Sequence, residues 1–329
     1  MPIQPIPGIS DIEAAASRMR GYAVRTPLLE STLLNSLTGG RILIKPECLQ
    51  RTGSFKFRGA WNKISQLDPK THRGGVVAYS SGNHAQGVAA AARLVGLPAL
   101  IVMPADTPQI KQTNTKRLGA EVVLYDRARE SRETIARRYV DERHAVLVPP
   151  FEDTDIIAGQ GTAGLELAEQ AEEIGADVEA VLVCASGGGL TAGIALALEA
   201  KLPACSVYCV EPEGFDDYAR SLETGTRQQN AAASGNICDA LLTPEPGETT
   251  FEINRRLLKA GIVVTEAEVK RAMRFAFETL KLVVEPGGSV ALAAVLAQKI
   301  PTRDRVIGVI LSGGNVDRGL FAQILSETD

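Results

Sequence analysis

The stretch Ala180-Val181-Leu182-Val183-Cys184-Ala185-Ser186-Gly187-Gly188-Gly189-Leu190-Thr191-Ala192-Gly193-Ile194-Ala195 puts a short apolar run, three consecutive glycines and an alanine-rich segment in succession. A continuously apolar run without alternation reads as a strand buried on both faces, and the segment 190–200 reads as a helix. Between them the glycines let the main chain come close to an anion, next to helix N–H groups that have no partner inside the helix. Such a loop also resembles a dinucleotide fingerprint. Gly187-x-Gly189 is followed by Gly193 instead of a glycine at 192, and Glu211 lies beyond the next strand, about twenty residues on, so a nicotinamide ligand stays open at this point.

The same alternation runs outward in both directions. Apolar runs at 76–79, 99–103, 121–125, 145–148, 206–210, 261–264 and 306–311, with Ile42-Leu43-Ile44 upstream, are strand candidates. Alanine-rich stretches such as 85–94 and 158–173 separate them. This pattern predicts parallel βαβ units with helices on both faces, and ligands in such sheets sit beyond the carboxyl ends of the strands. Because no Pro/Gly/Ser-rich linker divides the chain, a second domain must be an insertion. Residues 75–151 hold enough strands for a small sheet, leaving 1–74 plus 152–329 as the larger unit. The segment 221–250, with Thr224-Gly225-Thr226-Arg227-Gln228-Gln229-Asn230, reads as a mobile surface loop.

Composition allows this fold and narrows the function. The 329 residues are 45% hydrophobic and 22% charged, with a formal net charge of -4. No Lys/Arg run exceeds a pair, so the chain lacks the electrostatic footprint of a nucleic-acid binder. No apolar stretch reaches the roughly 18 residues of a membrane span, and the start Met1-Pro2-Ile3-Gln4 lacks the basic opening of a signal peptide, so a cytoplasmic location is expected. The five cysteines (Cys48, Cys184, Cys205, Cys209, Cys238) contain no Cys-x-x-Cys pair and read as buried or incidental thiols, not as a disulfide or metal site.

Three further motifs accompany the glycine loop. Ser54-Phe55-Lys56-Phe57-Arg58-Gly59 opens a helix after the 42–44 strand; Ser80-Ser81-Gly82-Asn83-His84 follows the 76–79 strand; Leu311-Ser312-Gly313-Gly314-Asn315 closes the last one. Taken with Ser186-Gly187-Gly188-Gly189-Leu190, they resemble the fold-type II pyridoxal-phosphate enzymes, specifically the serine/threonine dehydratase and serine racemase family. The resemblance implies a tryptophan synthase β-like α/β fold of two open, twisted, mostly parallel sheets with flanking helices.

The resemblance also implies roles. Lys56, flanked by Phe55 and Phe57, holds the aldehyde cofactor covalently; such an amine must be available unprotonated, which a helix start and burial both favour. Ser186, Gly187, Gly188, Gly189 and Leu190 receive the phosphate. Ser312 faces the ring nitrogen; a hydroxyl in place of a carboxylate leaves that nitrogen largely neutral and favours elimination over transamination. Asn83 binds the ring hydroxyl, Glu285 lies near the ring, and Ser80, Ser81, Gly82, Asn83 and His84 grip the substrate carboxylate. Ser81 is also the expected proton carrier on the face opposite Lys56. His84 reads as a structural loop histidine ahead of a general base.

Glu211, Asp217 and the Phe215 carbonyl match the family's divalent-cation site, whose oxygen ligands suit Mg²⁺ or Ca²⁺. Many relatives carry Asp-Gly where this chain has Asp239-Ala240, within a Pro-flanked loop that contains Thr243, which leaves the exact substrate open. Arg132 matches an arginine near the substrate pocket and would receive a second carboxylate, or else it lies on a charged helix over 128–140. After Asn315-Val316-Asp317 too little chain follows for the regulatory domain of biosynthetic threonine deaminases, so a catabolic enzyme is expected. The expected activity is dehydration and deamination of L-threonine or L-serine to a 2-oxo acid and ammonia by a homodimer with no nucleic-acid or membrane partner. Serine racemisation, 3-hydroxyaspartate dehydration, nicotinamide-dependent oxidation and ligand binding without turnover remain alternatives.

Overall fold

The computed structural model describes residues 5–80, 82–107, 109–126, 129–232 and 234–327. Among these, ten strands form two sheets: β1 (Leu29–Glu30), β2 (Arg41–Pro46), β3 (Val76–Tyr79), β4 (Ala99–Pro104), β5 (Glu121–Tyr125), β6 (Val146–Leu147), β7 (Ala180–Cys184), β8 (Ser206–Pro212), β9 (Leu258–Val264) and β10 (Val306–Leu311). The larger sheet has the order β1-β2-β10-β7-β8-β9, parallel except for the β1–β2 pair; the smaller, β5-β4-β3-β6, is wholly parallel.

Position in the sheet accounts for each strand's composition. Central β7 is buried at every residue because helices cover both faces, hence its unbroken apolar run. Edge strands β5 and β9 instead expose Glu121, Leu124 and Lys259. Pairing also sets the lengths. The 206–210 run extends to Pro212 and the 261–264 run begins at Leu258 because the two form one ladder, whereas the 145–148 run shortens to two paired residues. The helix expected over 128–140 runs Arg132–Arg143, since Ser131 caps it by accepting from Thr134 N at 3.2 Å. Of the expected surface loop 221–250, the described residues 225–236 are exposed or half-buried, but Cys238 and Leu241 pack into the core.

The helix Thr154–Glu173 lies between the helix Lys56–Ile64 and the helix Gly189–Lys201, and so relates Lys56 to the glycine loop. Backbones meet where side chains are missing. A Cβ on Gly159 would sit 2.6 Å from Gly59 Cα, and one on Gly161 2.8 Å from Gly193 O.

A buried ion network locks the helices Lys56–Ile64 and Thr154–Glu173 together. Arg58 donates to both oxygens of Glu47 (2.7 and 2.8 Å) and to both oxygens of Glu166 (2.8 Å each). Lys45 Nζ donates to Glu166 Oε2 at 2.7 Å, to Thr26 O at 2.7 Å and to Gln170 Oε1 at 2.8 Å. Two cations and two carboxylates balance, which is the condition for burying them.

Candidate active site

The carboxyl ends of β3, β4, β5, β7 and β10 converge on a cavity of about 570 Å³ lined from both sheets. It is lined by Phe55, Lys56, Ser80, Gly82, Asn83, His84, Arg132, all five residues 186–190, Thr243, Glu285 and Ser312. Ser81 lies outside the described residues. Glu211, Phe215 and Asp217 are not part of the cavity wall.

Lys56 is the first residue of its helix, and its Nζ donates to Pro150 O at 2.8 Å. Burial lowers its pKa to about 8, and the nearby Cys184 acts in the opposite direction. Desolvation therefore makes the unprotonated amine accessible near neutral pH.

The glycine loop is held from behind. Gly187 O accepts from Thr250 Oγ1 at 2.6 Å and Gly188 O from Asn254 Nδ2 at 3.2 Å, both on the helix Glu248–Leu257. With those carbonyls tied back, the helix N-terminus at Gly189 and Leu190 faces the cavity with N–H groups free of intrahelical partners. Gly188 has φ +90°, and a Cβ there would overlap the Tyr218 hydroxyl; Cβ atoms on Gly187 or Gly189 would run into Phe151. A cradle this bare of side chains, at a helix start, suits a phosphate. Ser186 Oγ donates to Thr243 Oγ1 at 2.7 Å, which ties Thr243 to the loop's first residue.

On the opposite wall Asn83 joins three motifs. Its Nδ2 donates to Glu285 Oε1 at 2.5 Å, while its Oδ1 accepts from Asn315 Nδ2 at 2.7 Å. One amide hydrogen of Asn83 remains for a ligand. Burial, reinforced by Asp239, pushes Glu285 up to about 7. Ser312, at the end of β10, presents a hydroxyl beside Cys184, whose thiol burial pushes up to about 11.

His84 Nε2 donates to Val148 O at 2.8 Å, and burial lowers its pKa to about 3, so the ring is neutral and fixed. Arg132 lines the cavity with its guanidinium 5.2 Å from the Tyr79 ring centroid, and Nε bonds Glu133 Oε1 at 2.7 Å. Lys111 and Asp239 also face the cavity, paired at 2.5 Å across it. Sequence reasoning missed Lys111, which belongs to no glycine-rich or strand-end motif, and met Asp239 only as part of the Asp239-Ala240 departure, without a role.

The acidic pair lies behind the glycine loop. Glu211 is fully buried and accepts from Tyr218 N at 3.1 Å and Ala219 N at 2.8 Å. Asp217 Oδ1 accepts from Asn230 Nδ2 at 2.6 Å, whereas its buried Oδ2 has no hydrogen-bond partner among the described residues. Among those residues no cluster of three or more His, Cys, Asp or Glu could hold a metal; the two carboxylates would need Phe215 O to complete a set.

A sequence model of the family described as "Pyridoxal-phosphate dependent enzyme" matches residues 19–313. The chain is 44% identical over 315 residues to the L-threo-3-hydroxyaspartate ammonia-lyase of Pseudomonas sp, covering 96% of this chain and 97% of that one. It is 38% identical to the serine racemase of Schizosaccharomyces pombe, covering 98% of each. The solved structure of maize serine racemase superposes with a TM-score of 0.91 at 39% identity, covering 97% of each chain.

Proposed function

Because this chain belongs to the pyridoxal-phosphate-dependent enzyme family, we propose that it is an ammonia-lyase converting a small hydroxy amino acid to a 2-oxo acid and ammonia. The observation that carries this reading is the desolvated amine of Lys56 in one cavity with the bare glycine cradle and the Ser312 hydroxyl. When bound, pyridoxal phosphate supplies an aldehyde for an amine to condense with and a ring that accepts the electron pair left by the α-proton. Residues 186–190 hold the phosphate. Asn83 and Ser312 orient the ring, and the hydroxyl of Ser312 brings no second charge to it. Residues 80–84 orient the substrate carboxylate. Lys56 Nζ, with a pKa of about 8, takes the α-proton as hydroxide leaves the β-carbon. Ammonia and 2-oxo acid should be measured with L-threonine, L-serine and L-threo-3-hydroxyaspartate, together with the chirality of residual serine. Ammonia from at least one is expected; inverted serine without ammonia would make the protein a racemase, with Ser81 as the second proton carrier.

Of the three, 3-hydroxyaspartate is supported by the Pseudomonas relative and by the cations Arg132 and Lys111 in the cavity. Residues 75–151, with their own sheet and an apolar cluster of Val77, Tyr79, Leu100, Val102, Tyr125 and Ala136, would close over the substrate. Five free cysteines suit a reducing cytoplasm. Leu33 and Leu37, more than half exposed on the helix Thr32–Thr38, support a homodimer. Among the described residues no helix is long and apolar enough to cross a membrane.

A divalent cation is part of the same reading. Two buried carboxylates at 211 and 217, with Asp217 Oδ2 unpartnered, fit Mg²⁺ or Ca²⁺ completed by the Phe215 carbonyl and water. Tyr218, between them and the cradle, bonds Thr250 and Asn254, so such an ion would stiffen the phosphate loop. A chelator is then expected to lower the melting temperature of the holoenzyme, and Asp217→Ala to abolish that response. An unchanged chelator effect in Asp217→Ala would remove the ion from this site.

A further inference from the structure

We propose that Lys111 is a specificity-determining residue that receives the distal carboxylate of a dicarboxylic hydroxy amino acid, and that Asp239 occupies its place until that substrate binds. The inference deepens the lyase reading and rests on it for the substrate's identity.

Lys111 extends from the helix Gln109–Arg117, beside the smaller sheet, while Asp239 opens the short turn Asp239–Leu241, attached to the larger. Their 2.5 Å ion pair therefore spans the cavity between the two sheets. Nζ also lies beside the loop that orients a substrate carboxylate, since a Cβ on Gly82 would be 3.8 Å from it. An amine there stands within reach of a substrate held by that loop.

The two partners differ in solvation. The Lys111 side chain is only 13% exposed, whereas that of Asp239 is 52% exposed. Water rehydrates a released Asp239 readily, but a lysine deprived of its counter-ion in the cavity needs another anion. The other cavity cation at this end, Arg132, is already paired with Glu133. A monocarboxylic substrate leaves the Lys111–Asp239 pair intact. A dicarboxylic one replaces Asp239 with its own carboxylate, without burying a net charge.

Calorimetric titration of the holoenzyme with succinate and with butyrate, four-carbon acids differing in the second carboxylate, isolates this subsite. Succinate should bind more tightly than butyrate. The ratio of the two dissociation constants should fall about tenfold in Lys111→Met, the loss expected for one charge-assisted hydrogen bond, and rise several-fold in Asp239→Asn. If Lys111→Met weakens both acids alike, Lys111 serves the α-carboxylate and the proposal is overturned. An unchanged ratio in Asp239→Asn, which keeps the turn and cavity intact, overturns it as well. Succinate selectivity carried by Lys111 with no ammonia from any hydroxy amino acid would leave this subsite standing and remove the lyase reading. Ammonia release with a ratio indifferent to Lys111 would do the reverse.

Discussion

Lys56→Ala is expected to abolish ammonia release, by roughly 10⁴-fold or more, because one side chain is both the cofactor's covalent anchor and the base for the α-proton. The purified variant should also lack the absorbance near the visible edge that a lysine-linked cofactor gives. Misfolding is not expected to contribute. Lys56 makes one hydrogen bond, to Pro150 O, and burying its ammonium costs stability. The sign follows from its lowered pKa: below about 8 both states hold the proton and the full cost of burying it applies, and above that value the folded state releases the proton before the unfolded chain does. The cofactor-free wild type should therefore gain stability as pH rises from about 8 toward the ordinary lysine value, and the alanine variant should lack that rise. Turnover within tenfold of wild type, or a retained visible band, would end the case for Lys56.

Arg58→Met is expected to be the most damaging substitution for stability, at about 3–5 kcal/mol, because it leaves Glu47 buried without its counter-charge. Burial alone would raise the Glu47 pKa; the charge and two hydrogen bonds of Arg58 outweigh it and hold the carboxyl below its usual range. A carboxylate with a depressed folded pKa contributes stability above its unfolded pKa and loses it as pH falls through the folded value. Removing Arg58 reverses that sign. Urea titrations should accordingly show a larger difference between wild type and Arg58→Met at pH 7 than at pH 5, where Glu47 can take up a proton. Adding Glu47→Gln should recover part of the loss, since the pair and not either charge is what the core accommodates. A loss below about 1 kcal/mol at pH 7 would mean that water or Lys45 compensates, and that the network does not anchor the Lys56 helix.

Much of this architecture is legible in the residues alone. Strands such as β7 and β10 are visible because burial on both faces demands consecutive apolar residues, a one-dimensional signature. The glycine cradle is equally local: Gly188 sits at φ +90°, where a side chain would be strained as well as blocked. The two-residue β1 carries no such mark, being defined only by its antiparallel pairing to β2.

What the chain's order could not express is which distant charges meet. Arg58 reads as a motif residue, yet its partners Glu47 and Glu166 lie 11 and 108 positions away and are selected by how three helices and β2 pack. Lys111 and Asp239, 128 positions apart, become a pair only because two sheets close on one cavity. Composition, periodicity and glycine placement determined the α/β scaffold and its strand-end loops, because backbone sterics and burial act on neighbours in sequence. Tertiary packing alone decided the Lys56 pKa, the buried ion network and the charges facing the substrate, because desolvation and Coulomb forces depend on distance in space.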